Sequence, residues 1–413
     1  MHHISLKSFG KGVIAMIFAL NAARCAEMPE FLISYWGGPP AAESSVERYR
    51  EIAECGFNVA MPPADATDTK TNLKILDACE AVGLKAIVQD SRLQISATSS
   101  ELKKALDSII ADYSAHPALA GYFITDEPHA RLFLALGRIN QYLLEKDPKR
   151  LPFINLFPNY ASAEQLGNKS YEEHVSQFIA TVKPTLVSWD HYMQMAGNES
   201  LYFKNLDTVR RQCQKAKLPF TQIILSLPHW GYRNPSDADL RWQVYTSLAY
   251  GARGILYFTY WTLPAWNLGN GPAIITSDGK RDAKYEFIRR LNGRLKALGP
   301  TLMQLESAGV YATAPLPPGL QGLPADALIK QAEGGPLLLG CFIGRKNEAY
   351  VLVVNRSFKD RCVAKVTTSE KTVTVSEISQ ESAKPPQEAR LADGAFAVSL
   401  EAGEGKLFLM NQR

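Results

Sequence analysis

Leu119-Ala-Gly-Tyr-Phe-Ile-Thr-Asp-Glu-Pro128 decides the fold of this chain. Residues 120–125 are apolar, aromatic or β-branched around one glycine, the composition of a buried strand. Two carboxylates follow, Asp126 and Glu127, and Pro128 stops the strand. Barrels of parallel strands keep their chemistry at the C-terminal strand ends, and a strand that closes on two acids fits that plan. A carboxyl walled by aromatics at such a place is a natural general acid. The bland alternative is that Asp126 caps the next helix and Glu127 pairs with an arginine.

Outward from this strand, strand-like and helix-like segments alternate between about residues 31 and 300. Expected strands are 31–36, 57–61, 85–89, 120–125, 152–157, 185–189, 220–225 and 254–259. Expected helices are 46–55, 71–82, 99–114, 132–146, 171–182, 201–217, 238–250 and 284–298. Eight such pairs predict a (β/α)8 (TIM) barrel. An open doubly wound sheet would need a glycine-rich phosphate turn. Gly37-Gly-Pro-Pro40 is not one, because its prolines remove amide donors. After about 305 the pattern changes to short alternating runs with Pro-rich and Gly-rich turns, which predicts a small all-β sandwich. The expected domains are 27–305 for the barrel and 306–413 for the sandwich.

The 413 residues are 46% hydrophobic and 10% aromatic, enough for a large core. A net charge of +4, from 45 basic and 41 acidic residues, is too small to argue for nucleic acid. Lys7 and Lys11 precede the apolar run 13–20 and the small residues Ala22, Ala23, Cys25 and Ala26. That is the pattern of a secretory signal over 1–26, cleaved after Cys25 or Ala26, and it predicts an exported mature chain without a membrane span. Export permits disulfides. Cys341 with Cys362 and Cys55 with Cys79 are possible pairs; the alternative is buried thiols acting as small apolar residues. No zinc-ligand spacing occurs, and His129, His191 and His229 fall on three different loops, so no metal or other cofactor is expected.

Polar and aromatic residues collect at the expected strand ends. They are Tyr35 and Trp36, Asp90, Asp126 and Glu127, Asn155, Asp190 with His191 and Tyr192, His229 and Trp230, and Tyr260 and Trp261. In a barrel these point to one mouth. Aromatic faces there stack on sugar rings, and carboxylates and amides bind hydroxyls. The alternative for each aromatic taken singly is core packing.

In Gly121-Tyr-Phe-Ile-Thr-Asp-Glu-Pro128, Asp190-His-Tyr192 and Ala249–Trp261, the chain resembles the (β/α)8 glycoside hydrolases of the β-galactosidase-like and cellulase-like type with an appended β-sandwich. The resemblance implies that Glu127 is the general acid/base and that the partner is a carbohydrate. It also exposes a departure. That type carries Asn-Glu on the fourth strand and a nucleophilic Glu on the seventh. Here Asp126 stands in place of the Asn, and the seventh strand ends Leu225-Ser-Leu-Pro-His-Trp230 with no carboxylate. Three readings stay open. Glu127 and Asp190 form the pair; or Asp126 and Glu127 act together with an acetamido group of the substrate; or the pocket is a non-catalytic carbohydrate-binding site.

Overall fold

The computed structural model describes residues 30–96, 99–192, 199–269, 271–381, 384–389 and 391–412. The expected export signal, with Cys25, lies outside the described residues. The first part alternates β1 (Leu32–Trp36), α1 (Val46–Glu54), β2 (Val59–Ala60), α2 (Thr69–Glu80), β3 (Lys85–Val88), α3 (Ser99–Tyr113), β4 (Leu119–Asp126), α4 (Phe133–Lys146) and β5 (Leu151–Leu156). It continues with α5 (Ala163–Leu166), α6 (Tyr171–Val182), β6 (Val187–Asp190), α7 (Glu199–Ala216), β7 (Phe220–Leu225), α8 (Asp237–Ala249), β8 (Gly254–Phe258) and α9 (Lys284–Leu302). The eight strands form one parallel sheet in the order β1-β8-β7-β6-β5-β4-β3-β2. It is the expected (β/α)8 barrel.

The seam between β1 and β2 is stitched largely by side chains. Asn58 accepts from the Ile33 N–H (2.8 Å) and donates to the Phe31 carbonyl (2.9 Å), and the Ser34 hydroxyl donates to the Val59 carbonyl (2.7 Å). β2 is only two residues long, so these bonds replace a missing ladder and leave no open edge.

Beyond the barrel come β9 (Glu306–Ala312), β10 (Ile329–Glu333), β11 (Leu337–Ile343), β12 (Ala349–Asn355), β13 (Cys362–Thr368), β14 (Thr372–Glu377), β15 (Gln387–Ala389), β16 (Ala395–Leu400) and β17 (Gly405–Gln412). They form a six-stranded sheet, β15-β14-β17-β12-β11-β9, and a three-stranded sheet, β10-β13-β16. Leu337, Leu339, Val351, Val353, Val366, Val398 and Phe408 fill the space between them. Alternate residues of the larger sheet, among them Leu338, Leu352, Val354 and Leu407, join the barrel's own core.

The possible disulfides do not form. All five described cysteines are free thiols, and Cys55, Cys79 and Cys213 are buried. Cys341 and Cys362 lie on strands of different sheets. No helix among the described residues is long and apolar enough to cross a membrane.

Candidate active site

Strand parity sets what enters the barrel mouth. On β1, Trp36 points inward and meets Phe123 of β4 (ring centroids 5.5 Å apart) and Phe153 of β5 (6.4 Å). Contacts between strands so far apart in the sheet require the interior. Tyr35, one residue earlier, must then point outward. It packs on Phe57 and Tyr260 behind the barrel wall. Trp261 is buried there too, beneath the Arg48 guanidinium. Tyr35, Tyr260 and Trp261 therefore belong to the wall and not to the mouth.

β4 needs an irregularity to aim its acids. Strict alternation from the inward Phe123 would turn Asp126 outward. The β4–β5 register shows the correction: Phe123 pairs with Phe153, Thr125 with Ile154, and Asp126 with Asn155, so Ile124 is an extra residue. This bulge reverses the parity and brings Asp126 to the same face as Phe123. A second shift, at Ala120, marks the pairing with β3. Glu127 then takes a left-handed backbone (φ 42°), held by its N–H on the Asn155 carbonyl (2.9 Å). A non-glycine residue in that region costs energy and is characteristic of functional positions.

Asn155 is the hub. Its side-chain nitrogen donates to Asp126 (3.1 Å) and to Asp190 (3.0 Å), and its oxygen accepts from the Ser188 hydroxyl (3.0 Å). Carboxylates can only accept, so the amide orientation is forced. Each carboxylate oxygen lies within 3.1 Å of one nitrogen, so the two can be no farther apart than twice that. Burial raises Asp126 to about 6, although bonds from Asn155 and Glu127 pull the other way. Asp126 lies deep among protein atoms yet keeps a solvent-accessible surface, as expected of the floor of an open mouth. Burial and then the charge of Asp126 raise Glu127 to about 7. Asp190 is 6% exposed, and burial followed by the charges of Glu127 and Asp126 pushes it well above the carboxylate range. Glu127's carboxyl accepts no side-chain hydrogen bond among the described residues.

Aromatics wall the β6–β8 side. Tyr192 packs edge-on against His229 (5.6 Å) and Tyr232 (5.5 Å) and tilts over Phe258 (5.4 Å). His229 Nδ1 donates to the Leu227 carbonyl (3.2 Å), and burial lowers its proton affinity against the pull of that bond, which favours the neutral ring with Nε2 as an acceptor. His191 is fully buried. It donates from Nδ1 to Asn205 (3.0 Å) and supports the Tyr160 ring (5.0 Å). Trp230 is 71% exposed on a left-handed backbone (φ 42°) beside His229. Leu227, Leu268 and Ala273 pack against Phe258 and Trp266, and a hollow of about 440 Å³ opens beside them.

Asp90 does not join this group. Arg92 binds both its oxygens, and the Tyr113 hydroxyl donates to it (2.6 Å). Burial would raise Asp90, but these bonds outweigh it and hold the carboxyl below its usual range. It is a strut between β3 and α3. Sequence reasoning missed Phe153 and Ser188, which strand parity could have found two residues before Asn155 and Asp190. It missed Phe123 and Phe258 as well: parity from Asp126 turns the first away from the mouth, and Tyr260, two residues after the second, belongs to the wall. It also missed Tyr160 and Tyr232, whose hydroxyls meet at 3.2 Å across two loops and carry no periodic signal.

Two other features lie at the opposite face of the barrel. A groove of about 300 Å³ runs between the C-terminal end of α9 and Ile378, Ser379, Glu381, Lys384 and Pro386. Asp77, Glu80 and His116 cluster as metal ligands could. There His116 Nδ1 accepts from the Ala118 N–H (3.1 Å), so Nε2 carries the proton and faces Asp77 (3.2 Å) as a donor.

Several solved structures share this architecture. A β-galactosidase from Bacillus circulans sp. alkalophilus matches 93% of this chain and 99% of its own at a TM-score of 0.62, with 8% identity. A GH42 β-galactosidase from G. stearothermophilus matches 94% and 99% at a TM-score of 0.59, with 9% identity. A family 5 glycoside hydrolase from Bacteroides vulgatus ATCC 8482 matches 92% and 89% at a TM-score of 0.58, with 12% identity. The fold is that of the (β/α)8 glycoside hydrolases. At such identities the likeness is one of fold, and function has to be argued from the site. No family model and no curated protein matches the sequence.

Proposed function

We propose that this protein is an exported glycoside hydrolase in which Glu127 donates the proton and Asp190 is the nucleophile or general base. The observation that carries the proposal is the set of three carboxylates at the barrel mouth, two of them tied to one amide. Asn155 gives its hydrogens to Asp126 and Asp190, which favours charge on those two. Glu127 accepts no such hydrogen among the described residues and is raised to about 7 by burial and by Asp126, so it can hold a proton near neutral pH. A protonated Glu127 suits transfer to a leaving glycosidic oxygen, and Asp190, whose proton affinity burial and its acidic neighbours raise, suits attack on carbon or on water once it has lost its proton. Asp126 keeps Glu127 protonated by its charge. Trp36, Tyr192, His229, Trp230, Tyr160 and Tyr232 supply faces and hydrogen-bonding groups for the sugar. Export rests on the sequence of residues 1–26 and would be read from the N-terminus of the mature protein.

The second reading is a carbohydrate-binding protein without turnover. It is motivated by the end of β7, where Ser226-Leu-Pro-His-Trp230 offers no acid. A panel of aryl α- and β-glycosides and polysaccharides, assayed with wild type and Glu127→Gln, separates the two. Hydrolysis lost at least about a hundredfold in the variant supports the enzyme. Equal turnover in both proteins removes Glu127 from the chemistry. Saturable binding without turnover in either favours the binding protein.

A further inference from the structure

Among the described residues, the mouth gathers three carboxylates with no partner cation. In the sequence, the stretches that follow the barrel strands, residues 37–45, 61–68, 89–98, 127–132, 157–170, 191–198, 226–236 and 259–283, hold only six lysines and arginines. Four of these are committed to other acids. Arg92 binds Asp90 and Asp112 (2.7 Å each), Arg233 binds Asp239 (2.5 Å), Lys280 binds Asp278 (2.7 Å) and Arg281 binds Glu51 (2.7 Å). The other two, Arg131 and Lys169, are exposed. No ion pair among the described residues reaches Asp126, Glu127 or Asp190, and the charges that act on them are each other's. Burial holds the proton affinity of His229 below its ordinary value, although its Nδ1 bond to the Leu227 carbonyl pulls the other way. Among the described residues, a ligand between Glu127 and Asp190 therefore meets phenols, the His229 imidazole, aromatic faces and carboxyl groups.

A uronic acid or a sulfated sugar brings its own anion. Taking that group out of water needs a cation or several strong donors in exchange. Here it would instead approach carboxylates. Resting on the glycosidase reading above, we infer that the sugar bound between Glu127 and Asp190 is uncharged, and that uronides and sulfated sugars are excluded. With an effective dielectric near 20 and about 5 Å between like charges, the exclusion amounts to at least about a hundredfold.

The test uses matched pairs: aryl galactosides with galacturonides and aryl glucosides with glucuronides, each in both anomers, plus the methyl esters of the uronides. Esterification cancels the charge and changes the shape little. Hydrolysis is followed with the full chain. Binding of neutral oligosaccharides, oligouronides and esterified oligouronides is measured by calorimetry on Glu127→Gln. The expected result is a preference for the neutral member of at least about a hundredfold, largely recovered by the ester. A free uronide handled as well as its neutral partner overturns the inference, as does a preference that esterification leaves unchanged. Selective binding of neutral sugars without hydrolysis upholds the inference and removes the hydrolase reading. No binding in any series overturns both.

Discussion

Glu127 has a proton affinity that is useful in catalysis and costly in folding. Burial and Asp126 raise it to about 7, above the unfolded value of about 4.3. Between those values the folded protein binds more protons at this residue than the unfolded chain does. Its favourable contribution is full below about pH 4 and is lost as pH rises through about 7. Glu127→Gln removes that loss. The variant should gain stability at pH 8 on the order of 1–3 kcal/mol, a range that allows for solvent reaching the mouth, and gain little at pH 4.5. Thermal melts of both proteins at the two pH values check this; an equal shift at both would mean that charge is not the cause. Activity should move oppositely. With Glu127 as the acid, kcat/KM in the wild type should fall as pH rises past about 7. A profile flat to pH 9 would take the proton-donor role from Glu127.

At the scale of elements, β4 carries the site because it is irregular. Gly121 stands between its two bulges, and a Cβ there would be driven into the Leu151 carbonyl oxygen of β5. The obstacle is backbone and cannot rotate away. Gly121→Ala should cost about 1–3 kcal/mol or more and should lower kcat more than it alters KM, because β4 and its carboxylates must shift together. Gly293, inside α9, is the control, with no atom within 4 Å of an added Cβ. Gly293→Ala should stabilise by up to about 1 kcal/mol. Urea midpoints for the two variants decide the matter; similar effects from both would deny β4 its tight register. This strand also shows what a sequence can and cannot tell. The buried run and its terminal acids are visible as composition. The extra residue at Ile124 is not, since nothing local distinguishes a bulge from regular alternation. Parity counted without the bulge turns Asp126 away from the mouth, and parity not counted at all places Tyr35 within it. Asp90 had the right strand end, yet Arg92, two residues on, folds back and occupies it. Tyr160 and Tyr232 lie in loops, where tertiary packing alone decides their place. The last helix, expected over 284–298, in fact runs through Pro300 to Leu302.

On the scale of the whole molecule, α8 explains why the barrel and the sandwich form one body. Most barrel helices keep a polar face toward water. From Leu240 to Ala249, α8 is buried on nearly every side, including Trp242, Gln243, Tyr245, Thr246 and Ser247. A helix covered all round must lie between two layers. One layer is β7, whose Leu225 backbone exchanges bonds with the Gln243 side chain (2.9 and 3.0 Å). The other is the six-stranded sheet. Trp242 Nε1 donates to the Arg356 carbonyl (2.9 Å), Gly340 lies against the Ala249 backbone, and Arg294 pairs with Glu404 (2.9 Å). Removing the sandwich would expose Trp242 and Tyr245 together with the Ala249 turn, a patch worth roughly 1.5–3 kcal/mol for each large side chain fully uncovered. That sum is comparable with the net stability of a folded domain, about 5–15 kcal/mol. The intact chain should therefore unfold in one transition, with far-ultraviolet circular dichroism and tryptophan fluorescence coincident in urea. A chain ending at residue 304 should be insoluble or bind a hydrophobic dye. Two separated transitions, or a soluble truncated barrel with a native-like melt, would show that the barrel stands alone and that its contact with the sheet is incidental.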